Sequence, residues 1–244
     1  MKDFSKLANK SILDNAKLGI RYLIEDWLSK LTEPITNFTV NNDYTIDVDQ
    51  DCRFYKEDFT NNKFPDFIQF NIIKGWFDLF YCHLVSLKGC PNIVNEYFDC
   101  SNNNLTTLEG GPEEVKGDLN YYNNNLATLE GAPKKVGGSF YCSNNNLTTL
   151  EGAPEEIGSD FNCSHNNLTT LKGAPKEIYG NFNCSNNNLT NLTEGPNYVL
   201  YKYYCTQNPI KSLTGAPLSC KKFISPQHTH EDYKKYINTR NKRL

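Results

Sequence analysis

Seven prolines, Pro91, Pro112, Pro133, Pro154, Pro175, Pro196 and Pro217, follow one another at intervals of 21 residues, and this register limits the chain to very few folds. A period so short describes one turn of a stack, because a single turn of this length cannot bury its own apolar face and must share it with its neighbours. Two leucine columns keep the same step: Leu84, Leu105, Leu126, Leu147, Leu168, Leu189 with Ile210, and Leu87, Leu108, Leu129, Leu150, Leu171, Leu192, Leu213. A further column, Val94, Val115, Val136, Ile157, Ile178 and Val199, lies three residues after each proline until Cys220 takes its place, which marks the expected end of the regular array.

Within a turn, apolar and polar residues alternate as in a short strand: Phe140 and Cys142 against Ser139, Tyr141 and Ser143. The alternation points Phe77, Phe98, Leu119, Phe140, Phe161, Phe182 and Tyr203 inward, together with Leu79, Cys100, Tyr121, Cys142, Cys163, Cys184 and Cys205. Parallel strands are therefore expected at 98–100, 119–121, 140–142, 161–163, 182–184 and 203–205, in a right-handed single-layer solenoid. At a strand spacing of about 4.8 Å, seven turns extend roughly 35 Å.

The flanks read differently. Between Ser11 and Leu31, apolar residues at Ile12, Leu13, Ala16, Ile20, Leu23, Ile24, Trp27 and Leu28 keep nearly a helical period and predict an amphipathic capping helix. Phe38 and Val40, then Tyr44, Ile46 and Val48, alternate about Asn41-Asn42-Asp43 and predict a hairpin. Cys52, Phe54 and Phe59 occupy strand and leucine places of a degenerate first turn carrying about four extra residues. His230 to Thr239 predicts a short closing helix, with a basic tail at Arg240, Lys242 and Arg243. The expected organisation is a helix-and-hairpin cap over 1–51, a solenoid over 52–217 and a C-terminal cap over 218–244.

The segment Phe140-x-Cys142-x-x-Asn145-x-Leu147-x-x-Leu150 resembles the leucine-rich-repeat pattern L-x-L-x-x-N-x-L-x-x-L, with Phe and Cys in place of the first two leucines. The resemblance covers about residues 77 to 217. The wording CSNNNLTTLEGAP, with YTIDVD upstream, is similar to short-repeat proteins encoded by tailed bacteriophages. It implies a leucine-rich-repeat-like array and a phage-encoded protein acting in a host cytoplasm.

Several function classes find little support. The 25 basic and 28 acidic residues leave a net charge of -3, so the chain as a whole has no cationic surplus for phosphates, and nucleic acid is not an expected partner. The polar start and the lack of a long apolar run point away from export or membrane insertion and toward a cytoplasmic protein. Nine cysteines, an odd number, then read as reduced thiols rather than disulfides, and the Asn-Leu-Thr triplets, such as that at Asn146, as by-products of the repeat. Cys142, Cys163, Cys184 and Cys205 should stand in a line, whereas zinc needs four converging ligands; they read as buried core thiols, metal-free.

The asparagine column Asn103, Asn124, Asn145, Asn166, Asn187 and Asn208, with Cys82 in the first regular turn, reads as a device for satisfying the backbone. Gly-Ala-Pro corners such as Gly152-Ala153-Pro154 turn the chain and precede no helix that could hold a phosphate. His228, His230, Glu231 and Asp232 have ligand chemistry but read as a solvated cap, and His83 and His165 have no paired nucleophile. Glu109, Glu130 and Glu151 fall on a solvated ridge. No Gly-x-Ser-x-Gly, Walker or His-Glu-x-x-His motif occurs, so neither an enzyme nor a cofactor is expected.

The residues between the inward positions should line an exposed sheet face in three columns. Later turns supply mainly Asn and Ser; the first four supply Trp76, Phe80, Tyr97, Tyr122 and Tyr141 among Asp78, Asp99 and Asp118. Aromatic anchors mixed with carboxylates are typical of protein-recognition hot spots, and the carboxylates favour a basic partner surface. The expected function is a non-enzymatic binding module that occludes and inhibits a host protein, such as a component of anti-phage defence. The alternatives are a virion or assembly component, or a small-molecule-binding protein with an aromatic pocket in the first turns.

Overall fold

The computed structural model describes residues 18–241. Ile12, Leu13 and Ala16 of the expected capping helix, and Lys242 and Arg243 of the expected basic tail, lie outside that range. In the described part, a helix α1 over residues 18–30 is followed by strands β1 (Phe38–Val40), β2 (Ile46–Val48) and β3 (Cys52–Arg53). A 3-10 turn, Lys56–Asp58, leads to β4 (Phe70–Ile73), β5 (Phe77–Asp78), β6 (Ile93–Val94), β7 (Phe98–Asp99), β8 (Glu114–Val115) and β9 (Leu119–Asn120). The pattern continues with β10 (Lys135–Val136), β11 (Phe140–Tyr141), β12 (Glu156–Ile157), β13 (Phe161–Asn162), β14 (Glu177–Ile178) and β15 (Phe182–Asn183). It ends with β16 (Tyr198–Val199), β17 (Lys202–Tyr204), β18 (Lys222–Ile224) and helix α2 (His230–Asn241).

Each repeat contributes two strands to a parallel-sheet β-solenoid. The first sheet has nine strands in the order β18-β17-β15-β13-β11-β9-β7-β5-β3, and every pairing in it is parallel. Phe140 pairs with Leu119 on one side and Phe161 on the other, so the register follows the 21-residue period. Cys52 pairs with Phe77 across the four extra residues of the degenerate first turn. A second sheet, absent from the single-layer expectation, is built by the return limb: seven strands, β1-β2-β4-β6-β8-β10-β12, with β14 and β16 pairing in the following turns. Its inward residues are the Val94-to-Val199 column, each at most 2% exposed. The hairpin forms as expected, with β1 and β2 antiparallel and Phe38 opposite Val48.

Both predicted inward columns and both leucine columns are buried between the sheets, and aromatic rings stack along the axis, Phe77 on Phe98 at 5.8 Å and Phe140 on Phe161 at 5.4 Å. The asparagines hold the turns together. Asn145 donates from Nδ2 to the Tyr121 carbonyl of the preceding turn at 2.9 Å and to its own Cys142 carbonyl at 3.2 Å, while Oδ1 accepts the Leu126 amide at 3.0 Å. Where Cys82 replaces asparagine, its thiol donates to the Phe54 carbonyl. The preceding residue of each such turn, Asn102, Asn123, Asn144, His165, Asn186 or Gln207, is left-handed, a conformation asparagine tolerates well.

The ends are closed by the flanks. Ile24 and Leu28 of α1 are buried, and Trp27 lies on Phe54 and Phe64; Leu23, counted with the helical stripe, is instead 46% exposed. At the far end the first sheet gains β18, one turn beyond Pro217, and the Phe223 ring stacks on Tyr233 of α2 at 5.0 Å. No helix among the described residues is long and apolar enough to cross a membrane.

Candidate protein-binding face

The outer side of the first sheet carries the predicted aromatic and acidic residues, but its relief differs from three equally open columns. In the column of Phe80 and Tyr122, Ser101, Ser143, Ser164 and Ser185 are only 2–6% exposed, as is Ser139 in the column of Trp76 and Tyr97. The cause is local: the chain turns sharply into the left-handed residue, which draws a small side chain under the asparagine ladder. Only bulky residues emerge from that column, Phe80 at 54% and Tyr122 at 42% exposed. Trp76, Tyr97 and Tyr141 are half-buried.

Trp76 and Tyr97 stack at 5.5 Å with planes 7° apart, as expected of side chains on adjacent parallel strands. The carboxylates are engaged within the chain. Asp78 accepts from Arg53 Nε at 3.1 Å and from the Phe80 amide at 2.9 Å. Asp99 accepts the Ser101 amide and Asn120 Nδ2, and Asp118 accepts the Ser139 amide. The Asp78 and Asp99 bonds to the amide two residues on turn the backbone at the strand end, and the Asp118 bond ties one turn to the next, so these carboxylates are first structural. Asp118 is the exposed member of the three.

Arg53 was missed in the sequence because it lies in the irregular first turn. Its guanidinium lies 5.1 Å from the Trp76 ring centre and binds Asp78, and that hydrogen bond raises its pKa further. The chain thus seats one of its own arginines on a tryptophan beside an aspartate. Tyr97 is also shifted upward, chiefly by burial.

Next to this tract, at the edge of the first sheet, Arg53, Tyr55, Lys56, Glu57, Asp78, Phe80, Tyr81 and His83 border a groove of about 740 Å³. Tyr81 is 61% exposed and packs edge-on against His83 at 5.0 Å. Both have positive φ, which directs them out of the alternation used to assign faces, so neither was legible as part of the site. The groove joins Asp78 and Phe80; Trp76, Tyr97, Asp99, Asp118, Tyr122 and Tyr141 continue along the sheet without lining it.

The other chemistry-bearing residues have structural tasks. His230 Nδ1 accepts the Phe223 amide, and Asp232 accepts from both the amide and the hydroxyl of Thr229, which lowers its pKa. Glu109, Glu130 and Glu151 are exposed, and Glu151 pairs with Lys172. Cys142, Cys163, Cys184 and Cys205 are buried and unpaired, with burial as the first cause of their raised pKa values. Among the described residues no group of three His, Cys, Asp or Glu side chains is arranged to hold a metal ion.

The fold defines the chain as a parallel-sheet β-solenoid. Comparison with family models, curated proteins and solved structures finds no match.

Proposed function

We propose that the chain is a non-enzymatic protein-binding module whose contact surface is the aromatic end of the first sheet. The observation that carries this reading is the tract of Phe80, Tyr81 and Tyr122, each more than 40% exposed, beside the stacked Trp76 and Tyr97 and an open groove. Large rings left half in water on a rigid sheet are the groups that supply most of the energy of protein interfaces. Arg53 on Trp76 and Asp78 illustrates the chemistry the tract accommodates, and a partner presenting basic side chains matches Asp118 and Glu57. The resemblance to phage short-repeat proteins supports a host protein as the target, held by occlusion.

The test is a pull-down from bacterial extract with two triple or double variants, each checked by circular dichroism. Phe80→Ala with Tyr81→Ala and Tyr122→Ala should lose the partner while keeping the fold. Asn162→Ser with Asn183→Ser, which retain a hydroxyl for the turn bonds those asparagines make, should keep it. Retention by the aromatic variant and loss by the serine variant would place the site elsewhere.

A further inference from the structure

The near-neutral whole-chain charge conceals a strong division along the solenoid. Residues 172–244 hold 11 of the 25 basic side chains and 4 of the 28 acidic ones, leaving the preceding residues with 14 and 24. The molecule therefore has an acidic part of net -10 followed by a basic end of net +7.

The basic end also carries an apolar patch, on the outer side of the second sheet and so away from the face considered above. Tyr179, Tyr198, Leu200 and Tyr201 are 43–57% exposed there, over a groove of about 380 Å³. Earlier turns put Glu, Lys or Gly in the same places: Glu114, Lys135 and Glu156 precede Tyr198, and Gly137 and Gly158 precede Tyr179. The patch is thus a departure from the repeat, which folding does not require. Lys221 lines the groove and Lys176 is exposed beside Glu177, whose carboxylate accepts the Tyr179 hydroxyl; neither lysine has a carboxylate partner among the described residues.

We propose that this face of the second sheet pairs with the same face of a second copy, antiparallel, about a twofold axis near the middle of the solenoid. That arrangement brings the basic apolar end of each copy onto the acidic early turns of the other, twice and identically, and closes without growing into a fibre. A pairing with the patches themselves on the axis would bring the lysines of both copies together and is disfavoured by their charge. The early turns offer what the patch needs. Ile72 and Ile93, half-buried, stand in the column of Tyr198, and Glu96, Glu113 and Glu114 are exposed beside them with no cationic partner among the described residues. Between the two ends Gly137, Gly138 and Gly158 lower the face, and Lys135 and Glu156 there are paired with each other at 2.8 Å, so the middle presents no net charge to the second copy.

Sedimentation equilibrium of the full chain tests this. A dimer at low salt that weakens as salt rises is expected, since opposite charges hold its ends. Tyr198→Glu with Leu200→Glu should raise the dimer dissociation constant by more than about tenfold, with an unchanged circular dichroism spectrum. Lys176→Glu with Lys221→Glu should do the same, and mixing that variant with Glu113→Lys, Glu114→Lys protein should make both charged contacts attractive, one with the signs exchanged and one native, and yield a heterodimer. A wild-type monomer at low salt overturns the proposal, as does a dimer indifferent to both pairs of substitutions. So does a monomer that binds a fluorescent single-stranded oligonucleotide through the same lysines, which would make the occupant a polyanion. Loss of dimerisation with retention of the pulled-down partner separates this surface from the aromatic end of the first sheet.

Discussion

Tyr121 and Tyr203 bring hydroxyls into columns otherwise filled by Cys, Leu or Phe, and neither hydroxyl has a hydrogen-bond partner. Each has its room made elsewhere in the same turn. The corner residue that is Ala132, Ala153, Ala174 and Ala216 in other turns becomes Gly111 and Gly195 in these two, and a Cβ there would stand 3.3 Å from Tyr121 Oη and 3.4 Å from Tyr203 Oη. A buried hydroxyl without a partner costs stability. Tyr121→Phe should therefore raise the unfolding free energy by about 1 kcal/mol, measured by urea denaturation; a loss of stability would show that the hydroxyl is satisfied. The thiols give a second prediction. Burial lifts Cys52, Cys82 and Cys205 from the usual 9.0 to about 12. A raised pKa means that the fold favours the protonated thiol, so this contribution is intact below about pH 9 and is lost as pH climbs toward 12, where the unfolded chain ionises first. The urea midpoint should fall steadily over that range, and replacing Cys205 by Ala should flatten the fall.

At the scale of elements, the first sheet was legible because two of every three strand residues alternate across a face, which gives the eye a period of two within the period of 21. Beyond the β1–β2 hairpin the second sheet was not, since each of its strands from β6 onward sends a single residue inward, Val136 or Ile157 for example, and one apolar residue cannot show an alternation. The last strand escaped for another reason: Phe223 follows Tyr203 by 20 residues, so a search at fixed step passes beside it. The candidate site was legible as a concentration of aromatics in the early turns. Its edge was not, because Arg53, Tyr81 and His83 lie where the backbone leaves the repeat. The α2 cap yields a prediction of its own. Tyr233 is buried against Phe223, the last ring of the axial stack. Tyr233→Ala should cost about 3 kcal/mol, the usual loss for a buried aromatic. In a stack whose turns touch only their neighbours the damage stays local. Hydrogen exchange should therefore accelerate in β18 and β17 and remain slow in β7 and β9; uniform acceleration would mean that the array melts as one unit.

Across the whole molecule, stability and recognition are separable because the repeat supplies the first and departures from it supply the second. Phe140 meets Phe161 as Phe161 meets Phe182, and Leu147 is bonded by Asn166 as Leu168 is by Asn187. A turn removed in register leaves equivalent surfaces to rejoin. Deleting residues 153–173 joins Gly152 to Ala174 and restores a Gly-Ala-Pro corner, so Phe182 should pair with Phe140 and Asn187 should bond the Leu147 amide. The shortened protein should keep its circular dichroism spectrum and lose some stability, the share of one turn and its interface. It should also capture the same partner as the full chain, since Phe80, Tyr81 and Tyr122 lie in turns the deletion does not touch. Deleting residues 153–163 instead moves every later column out of register, sending Lys172 into the place of Phe161 and Glu177 into that of Asn166, and should give a chain without a cooperative transition. Were both deletions to fold equally well, the columns would not be what holds the turns together; were the in-register deletion to fold but release the partner, the contact surface would extend into the late turns.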